Sequence, residues 1–196
     1  MKRPSAIVLD TSIFVNPDSR FLFGQSPKEA LNAFLEAIAD KKDITCYIPP
    51  SVYEELSKFI ENPLAAQKAV LINKKPPSSY EMPVPAMLVY EFIEEMRMRI
   101  NKGLRIAEKY GRKEIQQTAA GRSKREHDEA LIKSLREEYR TALREGILDS
   151  KEDFDLILLA KELDAYLATT DGGLIKWARK LGICCITPEE LKELVK

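Results

Sequence analysis

Short apolar segments alternate with helical patterns at both ends of the chain, and this alternation constrains the fold most strongly. Ala6–Asp10 reads as a buried strand that ends in a carboxylate, and Ile44–Ile48 reads as a second strand followed by a helix. Towards the other end, Tyr166–Thr170 and Ile183–Ile186 read as strands separated by helical patterns. Such alternation at short spacing predicts an α/β fold, in which helices cover both faces of a parallel sheet.

The middle of the chain has a different pattern. Apolar residues follow a 3.6-residue period over Ala86–Tyr110, and a second helical stripe runs over Leu131–Leu143. Four prolines within Asn73–Pro85 indicate a linker before the first of these helices. We therefore expect two long helices to form an inserted hairpin. The predicted domains are the α/β body over residues 1–85 and 147–196 and the hairpin over residues 86–146.

Charge is divided unevenly along the chain. With 31 Lys+Arg and 31 Asp+Glu, the formal net charge is zero. From Arg97 to Arg125, however, ten basic residues occur with only two acidic ones, so this segment carries +8, and the other 21 basic and 29 acidic residues sum to −8. Basic residues on a helix usually serve solubility, but this excess favours contact with a polyanion such as nucleic acid. The candidate contacts are Arg105, Arg112, Lys113, Arg122, Lys124 and Arg125.

Several classes of protein are excluded by composition. The longest apolar run is about five residues, which is too short to span a bilayer. The first residues lack the apolar core of a signal peptide, and the three cysteines lack metal-ligand spacing, so a reduced cytoplasmic compartment is expected. The single histidine, His127, excludes a multi-histidine zinc site.

Carboxylates occur where an α/β sheet places its ligands, beyond the carboxyl ends of the strands. Asp10 and Asp171 each follow a predicted strand, and Asp149 and Asp153 lie four residues apart at the start of a helix. Glu55, on the helix after the second strand, can approach the same crevice. Oxygen ligands without histidine or cysteine suit Mg²⁺ or Mn²⁺ and predict phosphodiester hydrolysis by a metal-activated water.

Each carboxylate also has a purely structural interpretation. Asp149 with Glu152, or Ser150 with Asp153, matches a capping box at a helix start, and Asp171 precedes two glycines, as turn aspartates do. The convergence of separate strand ends favours the functional interpretation.

Together the motifs resemble those of PIN-domain ribonucleases. That family has an aspartate closing the first strand, a glutamate on the second helix, and aspartates on and after a later helix. The matching segments are Val8-Leu9-Asp10-Thr11-Ser12, Pro50–Leu56, Asp153–Ala160 and Ala168-Thr-Thr-Asp171.

The inserted segment extends the resemblance to the whole chain. Tyr90–Glu108 and Gly146–Asp153 closely resemble the protein-only ribonuclease P family, the homologues of the Aquifex enzyme once called RNA ligase partner proteins. The resemblance implies a PIN-like sheet with an inserted helical hairpin, and Mg²⁺-dependent removal of the 5′ leader from precursor tRNA without an RNA subunit. It also implies dimers that assemble into a homo-oligomer, a dodecamer in known relatives.

The resemblance also assigns roles to residues. The catalytic carboxylates it implies are Asp10, Asp149, Asp153 and Asp171. The metal ligands are Asp10, Asp153 and Asp171, with Glu55 and Asp155 as further candidates.

Two other functions stay open. The first is a toxin-type PIN ribonuclease with another RNA substrate, although such chains are usually shorter and lack a basic hairpin. The second is a non-catalytic RNA-binding protein in which the acidic residues only cap helices.

Overall fold

Runs of apolar and β-branched residues form a five-stranded sheet in a computed structural model of the chain. The structure describes residues 5–61, 71–118, 124–144 and 150–196, with their side chains except at 113–118, 124–128 and 144. All pairings are parallel, and the strand order is β3-β2-β1-β4-β5. The predicted α/β class is therefore confirmed. The strands are β1 (Ala6–Leu9), β2 (Thr45–Ile48), β3 (Ile72–Lys74), β4 (Tyr166–Ala168) and β5 (Cys185–Ile186).

Local signals in the sequence fix where several helices begin. Ser26 accepts a hydrogen bond from the backbone N–H of Glu29 at the start of α3, and Thr187 and Glu190 form a reciprocal capping box on α9. The helices of the described ranges are α1 (Ser12–Val15), α2 (Pro17–Arg20), α3 (Pro27–Ile38), α4 (Pro50–Leu56), α5 (Ala86–Thr118), α6 (Lys124–Arg144), α7 (Lys151–Glu162), α8 (Gly172–Lys180) and α9 (Pro188–Val195).

The chain divides into two compact units. The sheet unit comprises residues 1–83 and 148–196, and the hairpin unit comprises residues 84–147. In the sheet unit, β1 is fully buried over Ile7–Leu9, and the rings of Phe14 and Phe34 pack beside it in the core with centroids 5.4 Å apart. In the hairpin unit, α5 packs against α6, where an added Cβ on Gly103 would lie 2.7 Å from the Tyr139 ring.

Three segments differ from the sequence prediction. Asn73 and Lys74 were expected in a linker, but they belong to β3, where Lys74 pairs with Ile48. The segment after β1 is rich in Asn, Pro, Asp and Gly, which predicts a loop, but it contains the short helices α1 and α2. The first hairpin helix was predicted over Ala86–Tyr110, but it continues as far as Thr118.

None of the helices in the described ranges is both long and apolar enough to cross a bilayer.

Candidate active site

The strand order reverses at β1, and this places a crevice at the carboxyl edge of the sheet. β2 and β3 extend to one side of β1, while β4 and β5 extend to the other. In open α/β sheets, ligands bind at such a reversal. Asp10 directly follows β1, and its backbone N–H donates to the carbonyl of Ala168 at 3.0 Å, which ties it to the end of β4.

Three hydroxyl groups surround the carboxylate of Asp10, which is only 6% exposed. Ser12 Oγ and Thr169 Oγ1 donate to Oδ2 at 2.5 and 2.6 Å, and Thr11 Oγ1 donates to Oδ1 at 3.3 Å. Burial raises the pKa of Asp10 because it penalises the charged form, while the Ser12 and Thr169 hydrogen bonds lower it and the charge of Asp171 raises it. The site therefore contains a buried carboxylate held in one orientation.

Asp171 lies at the same edge, after β4, and is exposed. Its Oδ1 accepts the backbone N–H of Leu174 at 2.8 Å, so it is the N-cap of α8. Its own N–H donates to Thr169 Oγ1 at 3.0 Å, and this connects it to the hydroxyl that contacts Asp10. Asp171 is therefore a helix N-cap that lies beside the buried carboxylate, so its capping role is compatible with the predicted functional one.

Glu55 reaches the site from α4. Thr11 Oγ1 lies 3.2 Å from Glu55 Oε2 and 3.3 Å from Asp10 Oδ1, so its one hydroxyl hydrogen is shared between the two carboxylates. Burial raises the pKa of Glu55, and the charges of Asp10 and Glu152 raise it further, against the opposing effects of the Thr11 hydrogen bond and Lys58. Two acidic residues from other elements therefore act electrostatically on Glu55.

Asp153 and Asp155 are both on α7 but have different surroundings. The N–H of Asp153 donates to Ser150 Oγ at 3.0 Å, which makes Ser150 the N-cap of this helix. Asp155 Oδ2 accepts a hydrogen bond of 2.6 Å from Ser51 Oγ, which links α7 to α4. Asp149 lies outside the described residues, so its place in the site stays a prediction.

The hydroxyl groups are what the sequence reasoning missed. Ser12 and Thr169 were not among its candidate residues, although each lies within two residues of a predicted carboxylate. The available signal was the presence of Ser and Thr beside both strand-end aspartates, in Asp10-Thr11-Ser12 and Thr169-Thr170-Asp171.

The donor set fits a hard divalent cation. The side chains grouped around Asp10 at this edge offer carboxylate and hydroxyl oxygens, which Mg²⁺ and Mn²⁺ prefer as ligands. A cation would also offset the burial and like-charge effects that raise the pKa values of Asp10 and Glu55. Within the described residues, however, no three His, Cys, Asp or Glu side chains lie close enough together to hold a metal ion.

The basic residues of the hairpin unit are only partly available for a ligand. Lys109 Nζ donates to both carboxylate oxygens of Glu138, at 2.7 and 2.9 Å, so its charge is neutralised within the hairpin. Arg105 and Arg112 are exposed. Among the other predicted contacts, Arg122 and the side chains of Lys113, Lys124 and Arg125 lie outside what the structure describes.

Comparison with known proteins identifies the family. Residues 6–196 match the family model described as a PINc domain ribonuclease. PIN nucleases generally depend on a divalent metal, which agrees with the oxygen donors at the sheet edge.

Curated relatives carry a more specific name. The protein called RNA-free ribonuclease P in Thermodesulfovibrio yellowstonii is 46% identical over 195 residues, or 99% of this chain and 95% of the relative. The proteins of that name in Pyrococcus horikoshii and Halorhodospira halophila are 46% and 42% identical, over 96% of this chain and 90% and 88% of their own lengths. The resemblance predicted from the sequence is confirmed, and the chain belongs to the PINc-domain ribonuclease family as an endoribonuclease related to RNA-free ribonuclease P.

Proposed function

We propose that this chain removes the 5′ leader of precursor tRNA in the cytoplasm and needs no RNA subunit to do so. The observation that carries the proposal is the buried Asp10 at the strand-order reversal, with Glu55 and Asp171 beside it, in a chain whose relatives are named RNA-free ribonuclease P. Such an arrangement suits hydrolysis of a phosphodiester, and the relatives' name supplies the RNA substrate.

We assign the metal as Mg²⁺, with Mn²⁺ as the alternative. A bound divalent cation supplies an activated water as the nucleophile. Ser12 and Thr169 keep Oδ2 of Asp10 in a fixed orientation, and Thr11 sets the position of Glu55. The proposed ligands are Asp10, Asp153 and Asp171, with Glu55 and Asp155 as further candidates, and Asp149 completes the catalytic set.

The linkage of Asp155 to Ser51 gives this residue a second role within the same proposal. Because Ser51 and Glu55 are four residues apart, they lie on one face of α4. A hydrogen bond from Ser51 to Asp155 therefore fixes α7 against the helix face that carries Glu55.

The hairpin unit supplies substrate selection in this proposal. A metal site alone hydrolyses many phosphodiesters, so specificity has to come from contacts elsewhere. At 1.5 Å per residue, the 33 residues of α5 extend over about 50 Å, long enough to contact a folded RNA far from the cleaved bond. The proposed RNA contacts are Arg105, Arg112, Lys113, Arg122, Lys124 and Arg125.

The hairpin unit also supports a proposal of self-assembly. Apolar side chains on α5 are exposed in the single chain, among them Phe92 at 43%, Ile93 at 48% and Ile100 at 64%. Several exposed apolar side chains on one helix are typical of interfaces. We therefore propose a homo-oligomer built from dimers, and light scattering that shows a stable monomer at micromolar concentration would exclude it.

Cleavage of a precursor tRNA labelled at its 5′ end, with mapping of the product ends, tests the function. We expect a single Mg²⁺-dependent cut at the junction of leader and mature tRNA, and no cut by Asp10→Asn. Cuts elsewhere, or in an unrelated RNA only, would indicate a toxin-type ribonuclease. Salt-sensitive binding without any cleavage would indicate an RNA-binding protein.

A double variant distinguishes the proposed role of the hairpin unit in substrate binding from the role of the sheet unit in cleavage. Changing Arg122 and Arg125 to Ala should weaken binding of precursor tRNA and flatten its salt dependence. Slow cleavage of a short unstructured RNA should change little, because that substrate does not need the hairpin. Equal loss on both substrates would place these arginines in the catalytic or folding unit instead.

A further inference from the structure

The carboxyl edge of the sheet continues past the carboxylates to the end of β3. Lys74 pairs in register with Ile48, and the register of β1 with β2 places Leu9 beside Ile48. Since neighbouring strands are about 4.8 Å apart, Lys74 lies about 10 Å along this edge from the end of β1. The edge therefore presents a cation two strands away from Asp10.

The side chain of Lys74 is held in place by an aromatic ring. Its Nζ lies 4.3 Å from the centroid of the Tyr53 ring, on α4, and Tyr53 is half-buried while Lys74 is exposed. Tyr53 and Glu55 are two positions apart in the helix, so they project from opposite sides of α4. One helix thus contributes a carboxylate towards β1 and an aromatic ring towards β3.

The neighbouring Lys75 differs from Lys74 in the group that it contacts. Lys75 Nζ forms an ion pair with Glu162, so its charge is neutralised inside the sheet unit. Within the described part of the chain, Lys74 has no such carboxylate partner and contacts the Tyr53 ring instead. Among the described residues, Lys74 therefore places a positive charge near the edge that also carries the carboxylates of Asp10, Glu55 and Asp171.

We propose that Lys74 and Tyr53 bind the single-stranded 5′ leader of the substrate, Nζ contacting a phosphate and the ring contacting the adjoining nucleotide. A cation beside an aromatic ring is the chemistry with which proteins bind single-stranded nucleic acid, whereas double-stranded RNA is bound through its shape. In a precursor tRNA, the single strand that adjoins the cleaved bond on the 5′ side is the leader. The inference rests on the proposed function and adds a contact for the part of the substrate that is removed.

Binding to two substrates that differ only in the leader tests the inference. One precursor tRNA carries a long leader and the other a leader of a single nucleotide, and both are bound by the Asp10→Asn protein. Adding Lys74→Ala should lower the slope of log K against log salt by about 0.7 for the long leader and leave it unchanged for the short one. When salt rises from 50 to 200 mM, the loss of affinity for the long-leader substrate should then be about 2.6-fold smaller for the protein with Lys74→Ala than for the Asp10→Asn parent.

Three variants control for charge and for the ring. Lys42, exposed in the loop before β2, lies at the opposite edge of the sheet, so Lys42→Ala removes the same charge and should change neither slope. Tyr53→Phe keeps the ring and should resemble the parent protein. Tyr53→Leu should give a partial loss on the long leader only. In the otherwise native enzyme, Lys74→Ala should raise KM for the long leader with kcat unchanged.

Several outcomes would overturn the inference. Equal losses on both leaders would mean that Lys74 contacts the body of the tRNA. A loss that disappears when the 3′ end of the tRNA is removed would mean that Lys74 contacts that 3′ strand and not the leader. No loss at all would make the pair structural. Failure of the native enzyme to cut precursor tRNA would overturn the proposed function alone, since the binding slopes still measure the leader contact.

Discussion

Thr169 Oγ1 donates a hydrogen bond of 2.6 Å to Asp10 Oδ2, and so connects the residues that follow two neighbouring strands. The register of β1 with β4, in which Leu9 pairs with Ala168, brings the two side chains together. Because burial alone would favour the protonated carboxyl, this bond and that from Ser12 help to keep Asp10 charged and oriented. The orientation and charge of the buried Asp10 carboxylate thus depend on hydroxyl groups that do not themselves carry charge.

Replacing Thr169 by Val should shift the pH dependence of cleavage. The change keeps the side-chain shape but removes a hydrogen bond to the charged form of Asp10, so the pKa of Asp10 rises. The acidic limb of the kcat/KM profile should move to higher pH, with a loss of about 10- to 100-fold on that limb from a bond of roughly 1.5–3 kcal/mol. Thr170→Val is the control, since the Thr170 hydroxyl is hydrogen-bonded to Asn16 rather than to Asp10. An unmoved acidic limb in Thr169→Val would contradict this role.

Replacing Asp10 by Asn should abolish cleavage while stabilising the metal-free protein at neutral pH. Cleavage should fall by at least about a hundredfold, because a charged oxygen ligand is lost. Burial raises the pKa of Asp10 in the folded protein above its value in the unfolded chain, so the free energy of unfolding decreases as pH rises between these two values. Asn titrates no proton, so in EDTA the variant should unfold at a higher temperature than the wild type at pH 7. This advantage should shrink in acid, and a stability difference that does not change between neutral pH and acid would contradict the assignment.

Two residues at the start of α7 should have different roles, Ser150 in capping the helix and Asp149 in cleavage. Ser150 accepts the N–H of Asp153, so Ser150→Ala should lower the free energy of unfolding by about 1 kcal/mol. Asp149→Asn should leave stability close to that of the wild type but greatly reduce cleavage. Urea unfolding and turnover of precursor tRNA, measured on both variants, test this. If Asp149→Asn lost stability and kept its turnover, Asp149 would be a structural residue.

The ion pair within the hairpin unit predicts which basic residues contribute to RNA binding. Arg105→Ala and Arg112→Ala should each lower the slope of log K against log salt by about 0.7 to 0.9, as expected for one lost phosphate contact. Lys109→Ala should change the slope little, because Glu138 already neutralises that charge. A large change in slope for Lys109→Ala would mean that the ion pair opens to bind RNA.

Two glycines should respond in opposite directions to substitution by Ala. An added Cβ on Gly24 would lie 2.6 Å from the backbone nitrogen of Ala30 and 2.7 Å from Glu29 Cβ. Since backbone cannot move aside cheaply, Gly24→Ala should destabilise the protein by about 1–3 kcal/mol. Gly111 lies inside α5 with nothing within 4 Å of an added Cβ, so Gly111→Ala should stabilise its helix by up to about 1 kcal/mol. Urea unfolding followed by circular dichroism measures both, and a shift of the same sign would contradict the packing.

Much of the fold could be predicted because several elements carry strong local signals. β1 has four consecutive apolar residues, and α9 begins at a capping box with a proline at its first position. β3 was missed because it has three residues, of which only Ile72 is buried, so no alternation is visible. The apolar period of the first hairpin helix ends at Tyr110, so the sequence did not predict that α5 continues through the polar residues as far as Thr118.

The candidate site was predictable only in part. Strand ends indicated Asp10 and Asp171, since any parallel sheet brings them to one edge. The hydrogen bond between Thr169 and Asp10 joins residues 159 positions apart, and it depends on a register that no local pattern encodes. The contact of Ser51 with Asp155 likewise depends on how two helices pack.

The insertion of the hairpin unit between β3 and α7 has a consequence for the order of protein synthesis. Asp10 and Glu55 are synthesised before the hairpin, whereas Asp153, Thr169 and Asp171 are synthesised after it. The edge of β1 that pairs with β4 therefore stays unpaired until β4 has been synthesised. At roughly 5–20 residues per second, the 159 positions between Asp10 and Thr169 take about 8 to 30 s to translate. A chain still on the ribosome therefore lacks the Thr169–Asp10 contact until most of the chain has been made.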